Sequence, residues 1–458
     1  MARIPIIPGF APDPSVVRID DGYFLVTSSF HLFPGLPIYS SADLKTWKHI
    51  GGLYAPTTRH HAGKTYIICT NHSAEKPTIH FDNFIIHTDN ILSDNWSDPI
   101  YFDFYDIDPD LFFADDGRVY VSGCSWKTNP STRDTFEIDI DTGEKLSPQR
   151  VIWDGFTKIT PEGPHIYKRN EWYYLLDSEG GTHEHHQLCM ARSKSIWGPF
   201  ESCPQNPILA PTSSNRGHSY IQYNGHGDFF QDKEENWWLL SLAARKDLEG
   251  RCVMGRCSEC IPTTVSPLVD FVYIRDPRVS DYCFIESGRR IEIAPSHRDL
   301  DDRLGPISFV GKRQRPLTGS SVLSEQCVAA GLAYYKDEHR YARIAYNYAT
   351  ATISFEAKNA GQTPVIRTNK KDGVDTRLAQ DLGIRFCIGY MESSVNFGYS
   401  VDRSEQSAWV FLGTVDTLDL TDRDFTGPCI GVFATRKGRK VSSRGPSVSF
   451  LEFSMGGC

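Results

Sequence analysis

The sequence predicts an all-β protein, a five-bladed β-propeller followed by a C-terminal β-sandwich. An aromatic-rich strand recurs five times in the first half of the chain, as GYFLVTS, KTYIICTN, GRVYVSG, EWYYLLDS and NWWLLSLA. Its anchors Tyr23, Tyr66, Tyr120, Tyr173 and Trp238 stand 43, 54, 53 and 65 residues apart. Beyond about residue 301, short alternating segments return with Gly, Asp and Asn between them, the pattern of an antiparallel sandwich.

Each repeat is read as one blade. Short segments rich in Val, Ile, Tyr, Phe and Trp favour strands, and roughly 40–50 residues with about four strands is blade-sized. One such sheet cannot bury both faces, so blades stack around a channel. Three repeats share a tail (SSADLKTWKHIG, TDNILSDNWSDP, ARSKSIWGPF) that places Trp47, Trp96 and Trp197 24, 30 and 24 residues after their anchors. The partition that follows is residues 1–262 as propeller, 263–300 as linker and crossover, and 301–458 as sandwich. A length of 458 residues suits two or three domains.

Three acids occupy the same place in the repeat. Asp13, Asp108 and Glu162 precede their anchors by 10, 12 and 11 residues. In the remaining repeats that place falls to Pro56 and His226, 10 and 12 residues ahead. Equivalent places in a repeat become equivalent places in a pseudo-symmetric ring, so the three carboxyl groups should converge on its axis. Taken singly, the Asp in Asp-Pro-Ser is usually a turn residue that caps the backbone. Three acids in one register weigh against that reading, whereas Asp115 and Asp116 in FFADDGR read as hairpin-turn residues.

Composition narrows the partners. The net charge is −9, without a basic stripe, which argues against nucleic acid. No run of about 18 apolar residues is present, so no membrane span is expected. The start MARIPIIPGFAPDPS has no apolar core of a leader, which leaves an intracellular protein or a mature secreted form. Twelve cysteines are scattered, with Cys252, Cys257 and Cys260 the one cluster. Cys257-x-x-Cys260 lacks a second pair at zinc-site spacing, so unligated thiols are expected and no metal is assigned.

With GFAPDPSVVR, YFLVTSSFHLFPGLPIY, GLYAPTTRHH, NWSDPIYFD, DIDPDLFFADDG, PEGPHIYK, SEGGTHEHH and GHGDFFQD, the chain resembles glycoside hydrolase family 43. It is most similar to the fungal β-xylosidase and α-L-arabinofuranosidase members with a C-terminal β-sandwich. The resemblance implies Asp13 as general base, Glu162 as general acid and Asp108 as the third carboxylate. It further implies Phe30 as an aromatic wall of the sugar pocket, and His226 and Arg256 as substrate-binding residues. No cofactor is implied as required, though calcium near His226 is possible in such a site. The chain departs from the family pattern where HIGGLYAPT runs straight through, and again after Met254-Gly255-Arg256.

The implied activity is an inverting exo-glycosidase that releases terminal α-L-arabinofuranosyl or β-D-xylosyl units from arabinoxylan or xylo-oligosaccharides. An inverting enzyme sets a carboxylic acid against a carboxylate roughly 6.5–9.5 Å away, with the attacking water between them. Acids on blades one and four suit that gap. The alternative is a catalytically impaired carbohydrate-binding pseudoenzyme of the same fold. The partner in either case is a carbohydrate, and oligomeric state is left open.

Overall fold

Four short antiparallel strands form each of the first four blades. The computed structural model describes residues 6–456 except 53–55, 74–79, 126–130, 182–184, 211–220, 246–270, 286–289, 314–318, 360–363, 370–383, 402–407, 421–426, 437–447 and isolated gaps of one or two residues. Blade one is built of Ser15–Ile19, Gly22–Val26, Pro37–Ser41 and Lys48–Gly52, and blade two of Pro56–His61, Lys64–Ser73, His80–Thr88 and Ile100–Phe102. Blade three comprises Ile107–Phe113, Val119–Ser125, Thr132–Ile138 and Arg150–Trp153. Blade four comprises Glu162–Arg169, Trp172–Glu179, Gln187–Ser193 and Glu201–Ser202. In blade five, Ile221–Gln231 pairs with Trp237–Arg245. Among the described residues helix is confined to short 3-10 turns at Val279–Asp281 and Thr417–Leu420, and no helix is long and apolar enough to cross a membrane.

The periodic aromatics and aliphatics fill the spaces between blades, which is why the ring closes. Tyr23, Leu25, Tyr39 and Trp47 of blade one pack with Phe230 and Leu240 of blade five. The other faces of blades one and two meet through Phe24, Val26, Ile38, Ile67 and Ile86, with Trp96 against them. Ile68, Ile85 and Phe102 face Leu111, Val121 and Phe136 across the next gap. Phe112, Tyr120 and Ile152 face Ile166, Leu175 and Cys189, with Trp197 alongside. Each full burial of such a side chain contributes about 1.5–3 kcal/mol. The tail tryptophans therefore plug the blade interfaces. Polar contacts help join the ends of the ring: Arg18 donates to the Asp232 carbonyl at 3.2 Å, and Lys233 pairs with Asp21 at 2.9 Å.

Two large sheets form the sandwich around Leu332, Tyr334, Ile344, Phe355, Phe386, Ile388, Phe397 and their neighbours. The stretch read from sequence as linker, 263–300, contributes strands to both. Val272–Ile274 lies in one sheet, while Tyr282–Ile285 and Arg290–Ile293 lie in the other. The repeat signature ends before these strands, and nothing local in them marks their distant partners.

The propeller is tied directly to the sandwich. Leu32–Phe33, inserted within blade one, pairs antiparallel with Val272–Ile274 and becomes the last strand of a sandwich sheet. Phe10 and Leu32 bury themselves with Val272, Ile274, Phe309 and Tyr335 on that sheet. The loop bearing Phe30 is thereby braced from behind.

Candidate active site

The inner strands of three blades carry the same irregularity. Their pairing slips between Ile107 and Asp110, between Glu162 and His165, and between Gly225 and Gly227. Such bulges bend a strand and re-aim a side chain. Asp108 and His226 sit there with left-handed φ of 53° and 36°, and Asp13, just ahead of Ser15–Ile19, has φ 53°. For a residue with a Cβ this costs roughly 1–2 kcal/mol, and strain of this kind gathers at functional sites. Gly163, with φ 57°, avoids that cost, and a Cβ there would press on the His226 ring at 3.1 Å.

The bulges bring together residues far apart in the chain. His226 Nδ1 lies 3.4 Å from Asp13 Oδ1 and 3.9 Å from Asp108 Oδ2. The Gly163 N–H donates to Asp108 Oδ2 at 3.0 Å, which links blades three and four. Glu162 is buried, with Oε1 2.5 Å from His186 Nε2. The three acids thus stand around one histidine, from blades one, three and four. Burial pushes the Asp108 carboxyl up to about 6. The neighbouring Glu162 and Asp13 add to that, while His226 and the Gly163 N–H oppose it.

One layer down, a second set of charges is matched rather than crowded. Arg59 of blade two spans Asp110 at 2.6 Å and Asp228 at 2.9 Å. His165 Nδ1 stands 3.0 Å from the same guanidinium. Asp228 also accepts from Ser15 Oγ at 2.6 Å and from the Tyr167 hydroxyl, and Asp110 accepts from the Ile166 N–H at 3.0 Å. Burial alone would push the Asp228 carboxyl up, but Arg59, His165 and the two hydroxyls outweigh it and hold it below the usual range. Every blade contributes to this layer.

Phe30 is 42% exposed with φ 50°, and its ring lies 5.6 Å from that of Phe10. The Ser28 N–H donates to the Pro12 carbonyl at 2.8 Å, which holds the loop of Phe30 beside that of Asp13. Arg256 and the cysteine cluster at 252–260 fall outside the described residues. Asp115 and Asp116 lie in the turn at the outer end of blade three, where Asp115 pairs with Lys168 at 2.6 Å.

Sequence reasoning missed the matched layer, His186, and a buried group behind the loop before Glu162. There Arg133 pairs with Asp177 and, at 2.5 Å, with Glu179. Glu179 also accepts from the Phe156 N–H at 2.8 Å and from Thr157, which fixes the loop leading to Glu162. One signal was available: Asp110 and Asp228 each stand two residues after a register position.

Asp108, Glu162 and His226 offer donor atoms within 4.8 Å of one another. Calcium takes roughly six to eight oxygen ligands. This set supplies two carboxylates and a nitrogen, and one Asp108 oxygen already accepts from Gly163. These three residues by themselves do not fit a calcium cage.

The description Glycosyl hydrolases family 43 matches residues 2–261. The chain belongs to this family. It is a glycoside hydrolase by that membership. A curated relative, the non-reducing end alpha-L-arabinofuranosidase BoGH43B of Bacteroides ovatus, is 28% identical over 95% of this chain and 92% of its own length. A xylosidase/arabinosidase of Butyrivibrio fibrisolvens is 38% identical, aligned over 56% of this chain and 53% of its own. The crystal structure of a xylan beta-1,4-xylosidase from Bacillus halodurans superposes with a TM-score of 0.85 over 99% of this chain and all of that one. At 23% identity that likeness speaks to the propeller-and-sandwich fold alone.

Proposed function

We propose that the protein is an inverting exo-glycosidase that removes terminal α-L-arabinofuranosyl or β-D-xylosyl units from arabinoxylan or xylo-oligosaccharides. One observation carries this reading: acids from three blades converge around His226, two of them within 3.9 Å of its Nδ1. Glu162 is the proton donor to the departing glycosidic oxygen. Asp13 takes a proton from the water that attacks the anomeric carbon from the opposite face. The bond to the leaving group breaks as the bond to water forms, and the two transferred protons balance.

Asp108 is the third carboxylate. Its charge, close to Glu162, favours the protonated form of that acid by like-charge repulsion. It also holds the Gly163 N–H and so the backbone beside Glu162. Phe30 is an apolar wall for the sugar ring, while His226 and Arg256 contact substrate. No step needs a cofactor. Arabinofuranosyl substrates are favoured by the relative that aligns over nearly its whole length.

Aryl α-L-arabinofuranosides and aryl β-D-xylosides, with NMR of the first-formed sugar anomer, test the proposal. Release of pentose with inverted configuration is expected. Retained configuration would refute the mechanism, and sugar binding without turnover on either substrate would make the protein a binding module.

A further inference from the structure

We infer that His186 is a positioning residue for Glu162, and that Gly225 is glycine in order to admit it. The inference rests on reading Glu162 as the proton donor. His186 lies immediately before Gln187–Ser193 in blade four and is 1% exposed. Its Nε2 is 2.5 Å from Glu162 Oε1. The contact holds the carboxyl by that oxygen.

The space for the imidazole comes from blade five. A Cβ built at Gly225 would fall within the His186 ring. Gly225 has no left-handed φ, so the close approach, and not the backbone conformation, requires glycine here. The bulge between Gly225 and Gly227 therefore does two things. It delivers His226 to the three acids, and it opens the seat from which His186 fixes one of them, Glu162. A carboxylic acid donates productively over a narrow range of positions, and a misplacement of about 1 Å costs about 10²-fold in rate. A carboxyl turning freely in the pit would spend much of its time aimed away from the glycosidic oxygen.

The test compares His186→Ala, His186→Gln and Gly225→Ala with the unmodified enzyme. Each is assayed for kcat and KM on pentosides with an activated leaving group (dinitrophenyl) and an unactivated one (alkyl). We expect His186→Ala and Gly225→Ala to lower kcat by about 10²-fold on the unactivated substrate. On the activated substrate, which needs little proton donation, the loss should be slight, with KM nearly constant on both. His186→Gln, which keeps a polar side chain of similar reach, should recover much of the loss. Combining His186→Ala with Gly225→Ala should add little.

Equal losses on both substrates, or a Gly225→Ala enzyme with unaltered kcat, would overturn the inference. Should His186→Ala fail to fold, the glutamine and Gly225 variants decide by the same criterion. Glu162→Ala is the control. If it shows no dependence on the leaving group, the proton-donor reading fails. If it does and the His186 variants do not, only the positioning role fails.

Discussion

The two charged layers of the channel differ in how their charge is balanced. The upper one gathers Asp13, Asp108 and Glu162 around His226. The lower one sets Asp110 and Asp228 against the guanidinium of Arg59, with His165 and Tyr167 beside it. Both arise at or beside the same inner strands, two or three residues apart in blades one, three, four and five. The lower layer is compensated, and a buried carboxylate there stays below its usual pKa. The upper layer crowds like charges on a strained backbone, and Asp108 is driven up to about 6. Compensation marks the layer that holds blades together. On the proposed function, its absence marks the layer that does chemistry, because folding alone would not select it.

The largest effects should fall on turnover in the upper layer. Asp13→Ala and Glu162→Ala should each lower kcat by about 10²–10⁴-fold, with circular dichroism and thermal midpoint little changed. A Glu162→Ala enzyme that still cleaves unactivated substrates at a normal rate would remove it from the proton-donor role. In the lower layer the effect should move to stability. Asp228→Asn or Arg59→Met breaks a buried ion pair and should cost about 3–5 kcal/mol, read by urea unfolding. A neutral result there would dissolve the distinction between the layers.

Glu179→Gln should be intermediate. It weakens charge-assisted bonds to Arg133, Phe156 and Thr157, worth about 1–3 kcal/mol, and should loosen the loop ahead of Glu162. Faster amide exchange at 156–160 would show this; unchanged exchange would mean that Arg133 and Asp177 suffice.

The smallest effect is a gain. A carboxyl at about 6 when folded, against an ordinary 3.8, binds more protons in the folded state across that interval. Its contribution is present below pH 4 and is lost as pH rises through about 6. Asp108→Asn should therefore flatten the pH dependence of unfolding and leave the protein about 1–2 kcal/mol more stable at pH 7. Its activity should fall over the same range. Denaturation at pH 4 and pH 7 measures the difference, and a less stable variant at pH 7 would show that Asp108 is structurally needed.

Much of this was legible in the repeat. The aromatic anchors located the blades, and the near-constant distance of 10 to 12 residues from acid to anchor singled out Asp13, Asp108 and Glu162. The tail tryptophans found their interfaces for the same reason, since their burial is a property of each blade and repeats with it. What could not be read was pairing between blades. Arg59 and Asp228 are 169 residues apart, and no local pattern assigns one to the other. His186 was hidden likewise, because its meaning depends on the missing side chain of Gly225 on another blade. The strands at 272–293 escaped notice once the repeat that identified earlier strands had ended.

The central claim is that the upper carboxylates are kept for chemistry at the expense of stability. Equilibrium unfolding at pH 7 of the triple variant Asp13→Asn, Asp108→Asn, Glu162→Gln tests it most directly. The account predicts an inactive protein at least as stable as the original. A loss of several kcal/mol, of the order expected for breaking a buried ion pair, would contradict it and make the upper layer part of the scaffold.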